Sequence, residues 1–245
     1  MNIYIYDGSF EGLLTAIYQA YYRPEKPAAI VTKQRFSDGL FIIPIEIKTE
    51  PDMARKVSKA IAEKISPTAL RRIYRAYLSE LPEIEDAIYR YLRLGFKIGR
   101  NIDKYLSEQA VMTIHQTSRK VDGERHRMLG LLRFRCTKNN IYYATMEPDF
   151  NILALIAPHF VQRLADQNWV IHDIKRGLAA FYNGNPWVMV KLTAVKQFNY
   201  AASEECYQQL WKDYYNSVTI ASRKNPKLQR QFMPVRYWNH LIEKQ

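Results

Sequence analysis

The chain has 245 residues, of which 47% are hydrophobic and 24% charged, and this balance excludes global disorder. Its net charge of +12 and pI near 9.6 favour a polyanionic or acidic partner. Two cysteines, Cys136 and Cys206, exclude a disulfide framework and a four-cysteine zinc site. With no apolar run near the roughly 20 residues that span a bilayer and no signal peptide, we expect a cytoplasmic protein without a membrane partner.

Residues 1–82 are predicted to form an N-terminal subdomain, first α/β and then helical. Alternating apolar residues predict a first strand, and Ser9 after the Asp7-Gly8 turn is placed to cap a helix over 10–22. Two more short strands are predicted at 28–32 and 41–48. Helical spacing begins at Pro51, and Ser66-Pro67 predicts the start of another helix.

Residues 83–245 are predicted to form a larger domain, an antiparallel sheet packed with helices, so that the whole chain is α+β. Helices are expected from 83 and over 103–119, with Asp122-Gly123 interrupting the helical pattern. Strands are expected at 131–136, 141–146, 169–173, 178–182 and 187–192, with a helix at 150–165 between the second and third. Further helices begin near Ser203 and Pro234.

Two arginines share one face of the strand predicted at 131–136. Strand alternation sends Arg133 and Arg135 to one face of the sheet and Phe134 to the other. On an open face each guanidinium could hold a phosphate through two hydrogen bonds. The alternative is a solvated face on which the arginines pair with acidic neighbours.

Acid, histidine and arginine side chains lie together just before this strand, at 124–127. Glu124 and His126 could serve acid–base chemistry beside a bound phosphate, or belong to a polar turn. No spacing of histidines and cysteines typical of a zinc site occurs, so we expect neither a metal nor another cofactor.

A second polar group surrounds the strand predicted at 169–173. Asp173 is either a functional carboxylate at the strand end or simply the partner of Arg176 across a turn. His159 and Arg163 share one face of the preceding helix and could approach the same edge. Asp173 and His159 join Glu124 and His126 as candidate catalytic residues, and the two arginines are candidate phosphate ligands.

The last forty residues mix aromatic and cationic side chains densely, with seven basic residues against two acidic ones. Arginine and lysine neutralise phosphates, and aromatic faces stack on bases, so this segment predicts a nucleic-acid surface. The candidate cations are Arg223, Lys224, Lys227, Arg230 and Arg236, and the candidate stacking residues are Trp211, Tyr237 and Trp238.

Several stretches together resemble a family of bacterial DNA-metabolism proteins. They are Tyr6 to Gly12, His126 to Met128 with Arg133-Phe134, Pro158 to Phe160 with Arg163, Trp169 to Asp173 with Arg176, Leu210-Trp211 with Tyr214, Arg223 with Asn225 to Gln229, and Met233-Pro234 with Arg236 to Trp238. In that family the domain occurs alone, beside a radical-SAM protein, or fused to a uracil-DNA-glycosylase-type domain. The resemblance implies DNA repair or modification with a radical enzyme as partner, and it brings no catalytic residues.

Three functions follow as hypotheses. The leading one is a DNA-binding accessory protein in repair or base modification that works with a radical-SAM enzyme. The alternative is an enzyme acting on nucleic acid or nucleotide, and it requires Glu124, His126, His159 and Asp173 to converge in an arginine-lined pocket. The third is a protein-interaction scaffold, which predicts an exposed apolar patch.

Overall fold

The computed structural model describes residues 1–193 and 199–245, which divide into two compact units, Met1–Asp122 and Gly123–Gln245. Small N-terminal strands are followed by a helical middle and then by a sheet packed with helices. The predicted α+β fold class is therefore confirmed.

The first unit begins with a three-stranded parallel sheet of order β2-β1-β3. Its elements are β1 (Asn2–Tyr6), α1 (Phe10–Tyr22), β2 (Ala29–Thr32), β3 (Ile43–Glu46), α2 (Pro51–Ala60), a π-helical turn (Ile61–Ile65), α3 (Pro67–Tyr77), α4 (Ile84–Ile98) and a 3-10 helix (Gly99–Lys104). Both predicted caps form, because the Ser9 and Ser66 hydroxyls accept from Gly12 N and Ala69 N, each at 2.9 Å. Apolar side chains from the sheet and these helices, such as Tyr4, Leu13 and Ile73, make one buried core.

Gly12 is the residue at which the first turn of α1 comes closest to its neighbours. A Cβ atom there would lie 2.3 Å from Asp7 Oδ1 and 2.8 Å from Thr49 Oγ1. Those two atoms belong to a hydrogen-bonded group in which Ser9 and Thr49 both donate to the Asp7 carboxylate. A side chain at position 12 therefore forces this polar group apart.

We expect Gly12→Ala to lower the free energy of unfolding by about 1–3 kcal/mol, because overpacking outweighs the gain in helix propensity. The matched change is Gly130→Ala, at a helical position with nothing within 4 Å of the added Cβ, which should stabilise by up to about 1 kcal/mol. Urea unfolding followed by circular dichroism measures both. Equal stabilisation by the two substitutions would contradict the close approach at Gly12.

A single helix, α5 (Gln109–Leu131), contains the division between the two units. The predicted break at Asp122-Gly123 is wrong, since the helix continues through both residues. A glycine inside a helix costs only about 1 kcal/mol. Val121, Glu124 and Met128, at helical spacing, are all buried, and this burial holds the turn on either side of the glycine.

The second unit contains a five-stranded sheet of order β4-β5-β6-β7-β8. Its elements are β4 (Phe134–Cys136), β5 (Tyr142–Met146), α6 (Leu153–Arg163), β6 (Trp169–Asp173), β7 (Leu178–Tyr182), β8 (Val188–Lys191), α7 (Glu204–Ser217), α8 (Pro226–Phe232) and three 3-10 helices at Ala221–Arg223, Val235–His240 and Ile242–Lys244. The sheet is mixed rather than wholly antiparallel as expected, because β5 and β6 pair in parallel. α6 connects these two strands, and a parallel pair needs such a crossover.

Candidate nucleic-acid interface

A buried carboxylate, Glu124, holds three parts of the second unit together. It extends from α5 and accepts hydrogen bonds from Asp149 N and Phe150 N, both at 2.8 Å, and a further one from the Tyr237 hydroxyl. Its exposure is 0%, so these donors replace water completely. Burial, followed by the hydrogen bond to Glu124, raises the pKa of Tyr237.

Arg236 supplies the positive charge for this buried carboxylate. Its Nη2 atom lies 2.8 Å from Asp149 Oδ2 and 3.6 Å from Glu124 Oε1, and its guanidinium lies over the Tyr237 ring. Arg236 and Tyr237 were expected to contact nucleic acid. The structure instead places Tyr237 in the core and pairs Arg236 with two carboxylates.

Asp173 and Arg176 form the pair across a turn that was one of the two predicted interpretations. Arg176 Nη1 lies 3.1 Å from Asp173 Oδ2, and the same guanidinium donates to the carbonyl oxygens of Pro148 and Asp149. Glu124 and Arg236 reach the same loop through Asp149. The structure thus gathers five predicted residues around this loop, as an internal network: Glu124, Asp173, Arg176, Arg236 and Tyr237.

The other two candidate catalytic residues lie outside the internal network. His126 and His159 are exposed, and within the described residues neither makes a hydrogen bond or ion pair. His126 lies outside the network because residues two apart on α5, such as Glu124 and His126, point to different sides of the helix. Glu124 and Asp173 are both 0% exposed, so the expected four-residue pocket is corrected to two buried structural carboxylates and two surface histidines.

Arg133 is engaged by a carboxylate near the chain end. Its Nη2 and Nε atoms lie 2.6 and 3.1 Å from the two oxygens of Glu243, and Trp211 Nε1 donates to the same carboxylate at 2.9 Å. The guanidinium also lies over the Trp211 ring. Burial alone would raise the pKa of Glu243, but hydrogen bonds from Arg133 and Trp211 outweigh it and lower the pKa.

The two arginines expected on an open strand face both contact residues at the C-terminal end, and Arg133 lies just before β4, which begins at Phe134 rather than at 131. Arg133 pairs there with Glu243, and Arg135 donates to Gln245 Oε1 at 2.9 Å. For Arg133, the structure therefore shows the second predicted alternative, an arginine paired with an acidic neighbour. Trp238 is also engaged, since its Nε1 donates to Met233 O at 3.0 Å and Lys244 lies over its ring.

Four predicted cations remain available to a ligand in the C-terminal segment. Arg223, Lys224, Lys227 and Arg230 are exposed, and none forms an ion pair with an acidic side chain among residues 1–193 and 199–245. Arg163, on the last turn of α6, is likewise exposed and forms no ion pair within the same ranges.

Arg223 and Lys224 border a groove of about 660 Å³, which we name the tail groove. Its apolar lining consists of Tyr215, Val218, Ile220, Leu228 and Phe232. Most of this lining is exposed, led by Phe232 at 65%. Glu243 also contributes to the wall, but its carboxylate is already held by Arg133 and Trp211. The tail groove thus combines a cationic border with an unfilled apolar floor.

Residues 82–243 match the family model of a domain of unknown function, DUF4130. The chain belongs to the DUF4130 family. No curated protein matches it. The DUF4130 match begins beside the predicted domain boundary at 82/83, whereas the compact units divide at 122/123, so that boundary stays a prediction.

The DUF4130 region also exposes an apolar stripe on α7. Tyr207, Leu210 and Tyr214 follow one another at spacings of three or four residues, and each is more than half exposed. Residues at these spacings share one helix face. Trp211 neighbours this face, since its ring lies 5.7 Å from that of Tyr214, and its Nε1 donates to Glu243. We name the three residues the α7 stripe.

No group of three or more His, Cys, Asp or Glu side chains within 1–193 and 199–245 could hold a metal ion. In the same ranges, no helix is both long enough and apolar enough to cross a bilayer.

Sequence reasoning missed Glu243 and Phe232. Glu243 is the first acidic residue after Asp213 in a strongly basic segment, and that isolation was a usable signal for an internal ion pair. Phe232 is the last residue of the seven-residue helix α8, in which Leu228 is the other large apolar side chain. An aromatic ring at the end of so short and polar a helix has few apolar neighbours to pack against.

Proposed function

We propose that this protein is a DNA-binding accessory factor in DNA repair or base modification and that it works with a radical-SAM enzyme. The observation that carries the DNA-binding part is the set of exposed cations at the tail groove. Residues 214–242 contain five arginines and lysines and no aspartate or glutamate. Only Arg236 among the five is paired internally within the described chain.

The arrangement of these cations suits a phosphate backbone. Arg223 and Lys224 border the tail groove, while Lys227 and Arg230, three residues apart on α8, extend the positive surface beyond it. Unpaired cations release condensed counterions when they neutralise phosphates, which is the main source of sequence-independent affinity for DNA. The net charge of +12 adds long-range attraction for a polyanion.

The partner in this proposal rests on the family resemblance and on one structural observation. The α7 stripe is an exposed apolar surface, which is the feature that the scaffold hypothesis requires. We therefore assign DNA contact to the tail groove and protein contact to the α7 stripe, so that the accessory and scaffold functions belong to one molecule.

The enzyme hypothesis gains no support from the described residues. Glu124 and Asp173 have no exposed surface, and Glu124 already accepts three hydrogen bonds. A general acid or base must reach the substrate directly or through one water molecule. Buried, fully engaged carboxylates stabilise the fold instead.

Fluorescence anisotropy of a labelled DNA oligonucleotide tests DNA binding. With about four phosphate contacts, the logarithm of the binding constant should fall with the logarithm of salt concentration at a slope of about −3 to −4. The titration runs from about 50 to about 200 mM salt, where such a slope changes affinity by about a hundredfold. Absence of binding at the lowest salt, to single and double strands alike, would overturn the proposed function.

A further inference from the structure

We propose that the tail groove selects single-stranded over double-stranded DNA by taking an unpaired base onto Phe232. This inference rests on the proposed DNA binding and adds the form of DNA that the groove recognises. It depends on three observations: the apolar floor, the availability of the Phe232 ring, and the size of the groove.

The exposed apolar floor favours a ligand that has apolar faces as well as negative charge. Val218, Ile220 and Leu228 are each at least half exposed, and Phe232 is 65% exposed. A double helix presents phosphates and base edges to a protein, because its base faces are stacked inside. A single strand presents the faces of its bases beside its phosphates. Only a single strand can therefore cover the apolar floor with its base faces while its phosphates contact Arg223 and Lys224.

Phe232 is the aromatic side chain of the groove that is free to stack. Within the described chain, it packs against no other aromatic ring and lies under no cation. Tyr215, the other ring of the groove, is half-buried, its hydroxyl accepts from Gln229 Nε2 at 2.7 Å, and Lys244 lies over its ring. The predicted stacking residues Trp211 and Trp238 are also engaged internally. Phe232 therefore takes the stacking role that the sequence analysis gave to them.

The groove has the size of a few nucleotides. Its volume of about 660 Å³ lies within the range of roughly 300–1,000 Å³ that is usual for small-ligand pockets. The α8 helix beside it has seven residues and so is only about 10 Å long. Lys227 and Arg230, on the same helix as the groove residues Leu228 and Phe232, are exposed outside the groove lining.

The positive charge around the tail groove favours DNA over an apolar peptide as its ligand. The segment from 214 to 242 has no acidic side chain to repel phosphates, and four of its cations are exposed without acidic partners in the described ranges. A strongly acidic peptide with apolar residues is the other ligand that offers both chemistries. The experiment below therefore includes polyglutamate as a competitor.

Anisotropy titrations of the full chain compare a labelled oligothymidylate of about 16 nucleotides, the upper end of common single-strand site sizes, with a duplex of equal length. We expect at least about tenfold tighter binding of the single strand. Phe232→Ala should weaken single-strand binding by about tenfold and leave duplex binding unchanged, and Phe232→Trp should restore it. Phe41→Ala is the matched control, because Phe41 is 80% exposed and lies outside the groove lining.

The outcomes separate this inference from the proposed function. Binding to neither oligonucleotide overturns both. Equal or tighter binding of the duplex, or an equal loss in Phe232→Ala and Phe41→Ala, overturns the single-strand inference and leaves DNA binding in place. Displacement of the oligonucleotide by polyglutamate at an equal concentration of charge shows an acidic protein as the occupant and overturns it as well.

Discussion

Replacing Arg223, Lys224, Lys227 and Arg230 together by alanine should reduce DNA affinity by about 10³-fold. Each of these side chains is exposed and has no acidic partner in the described chain, so its charge is available to phosphates. If each lost cation–phosphate contact costs about 1 kcal/mol, four contacts cost about 4 kcal/mol, which corresponds to that loss. Anisotropy with the labelled oligonucleotide at about 0.1 M salt measures it.

A variant with the same change in net charge is the control. Lys56, Lys64, Lys97 and Arg100 are exposed residues of the first unit, and replacing them by alanine also removes four positive charges. If the tail groove binds DNA, this second variant keeps most of the affinity and loses only long-range attraction. Equal losses in the two variants would mean that net charge alone, and not the tail groove, accounts for binding.

Glu124→Gln should destabilise the second unit by at least about 3 kcal/mol. The substitution keeps the shape of the side chain but removes the charge that Arg236 meets, and it directs an amide NH2 at groups that need an acceptor. Each hydrogen bond lost to a buried charged group costs about 1.5–3 kcal/mol, and a buried donor left without an acceptor adds about 1–3 kcal/mol. This loss comes from stability, so we expect DNA affinity per folded molecule to change little.

Tryptophan fluorescence during urea unfolding measures the stability of the second unit, and so reports the loss caused by Glu124→Gln. All four tryptophans, Trp169, Trp187, Trp211 and Trp238, belong to Gly123–Gln245. Glu205→Gln is the control, because Glu205 is an exposed carboxylate on α7 of the same unit. A shift in midpoint no larger for Glu124→Gln than for Glu205→Gln would remove the structural role assigned to Glu124.

Elements with local signals were predicted well from the sequence. The helix at Phe10–Tyr22 has a serine cap and a proline after its end, and its predicted bounds match the structure. The strands Trp169–Asp173 and Leu178–Tyr182 also match their predicted bounds. Caps, turns and alternation act over a few residues, so one stretch of sequence contains all that is needed to predict them.

Features that depend on distant residues were not predictable in the same way. Arg133 pairs with a carboxylate 110 positions away, and no local pattern identifies Glu243 as its partner. Tyr237 occupies the core because it reaches Glu124, 113 positions earlier. The same limit applied to the candidate site. The four exposed cations of 223–230 were identified by composition, whereas the contact of Trp211 with Glu243 and the exposure of Phe232 depend on packing.

The salt dependence of DNA binding in the wild-type chain and in the four-residue tail variant tests the central claim most directly. Each phosphate contact contributes about 0.7 to the slope for single strands and about 0.9 for duplexes. We predict that the tail variant has a slope smaller in magnitude by about 3, whereas the Lys56, Lys64, Lys97 and Arg100 variant keeps nearly the wild-type slope. A tail variant with the wild-type slope would contradict the assignment of the tail groove as the DNA-binding site.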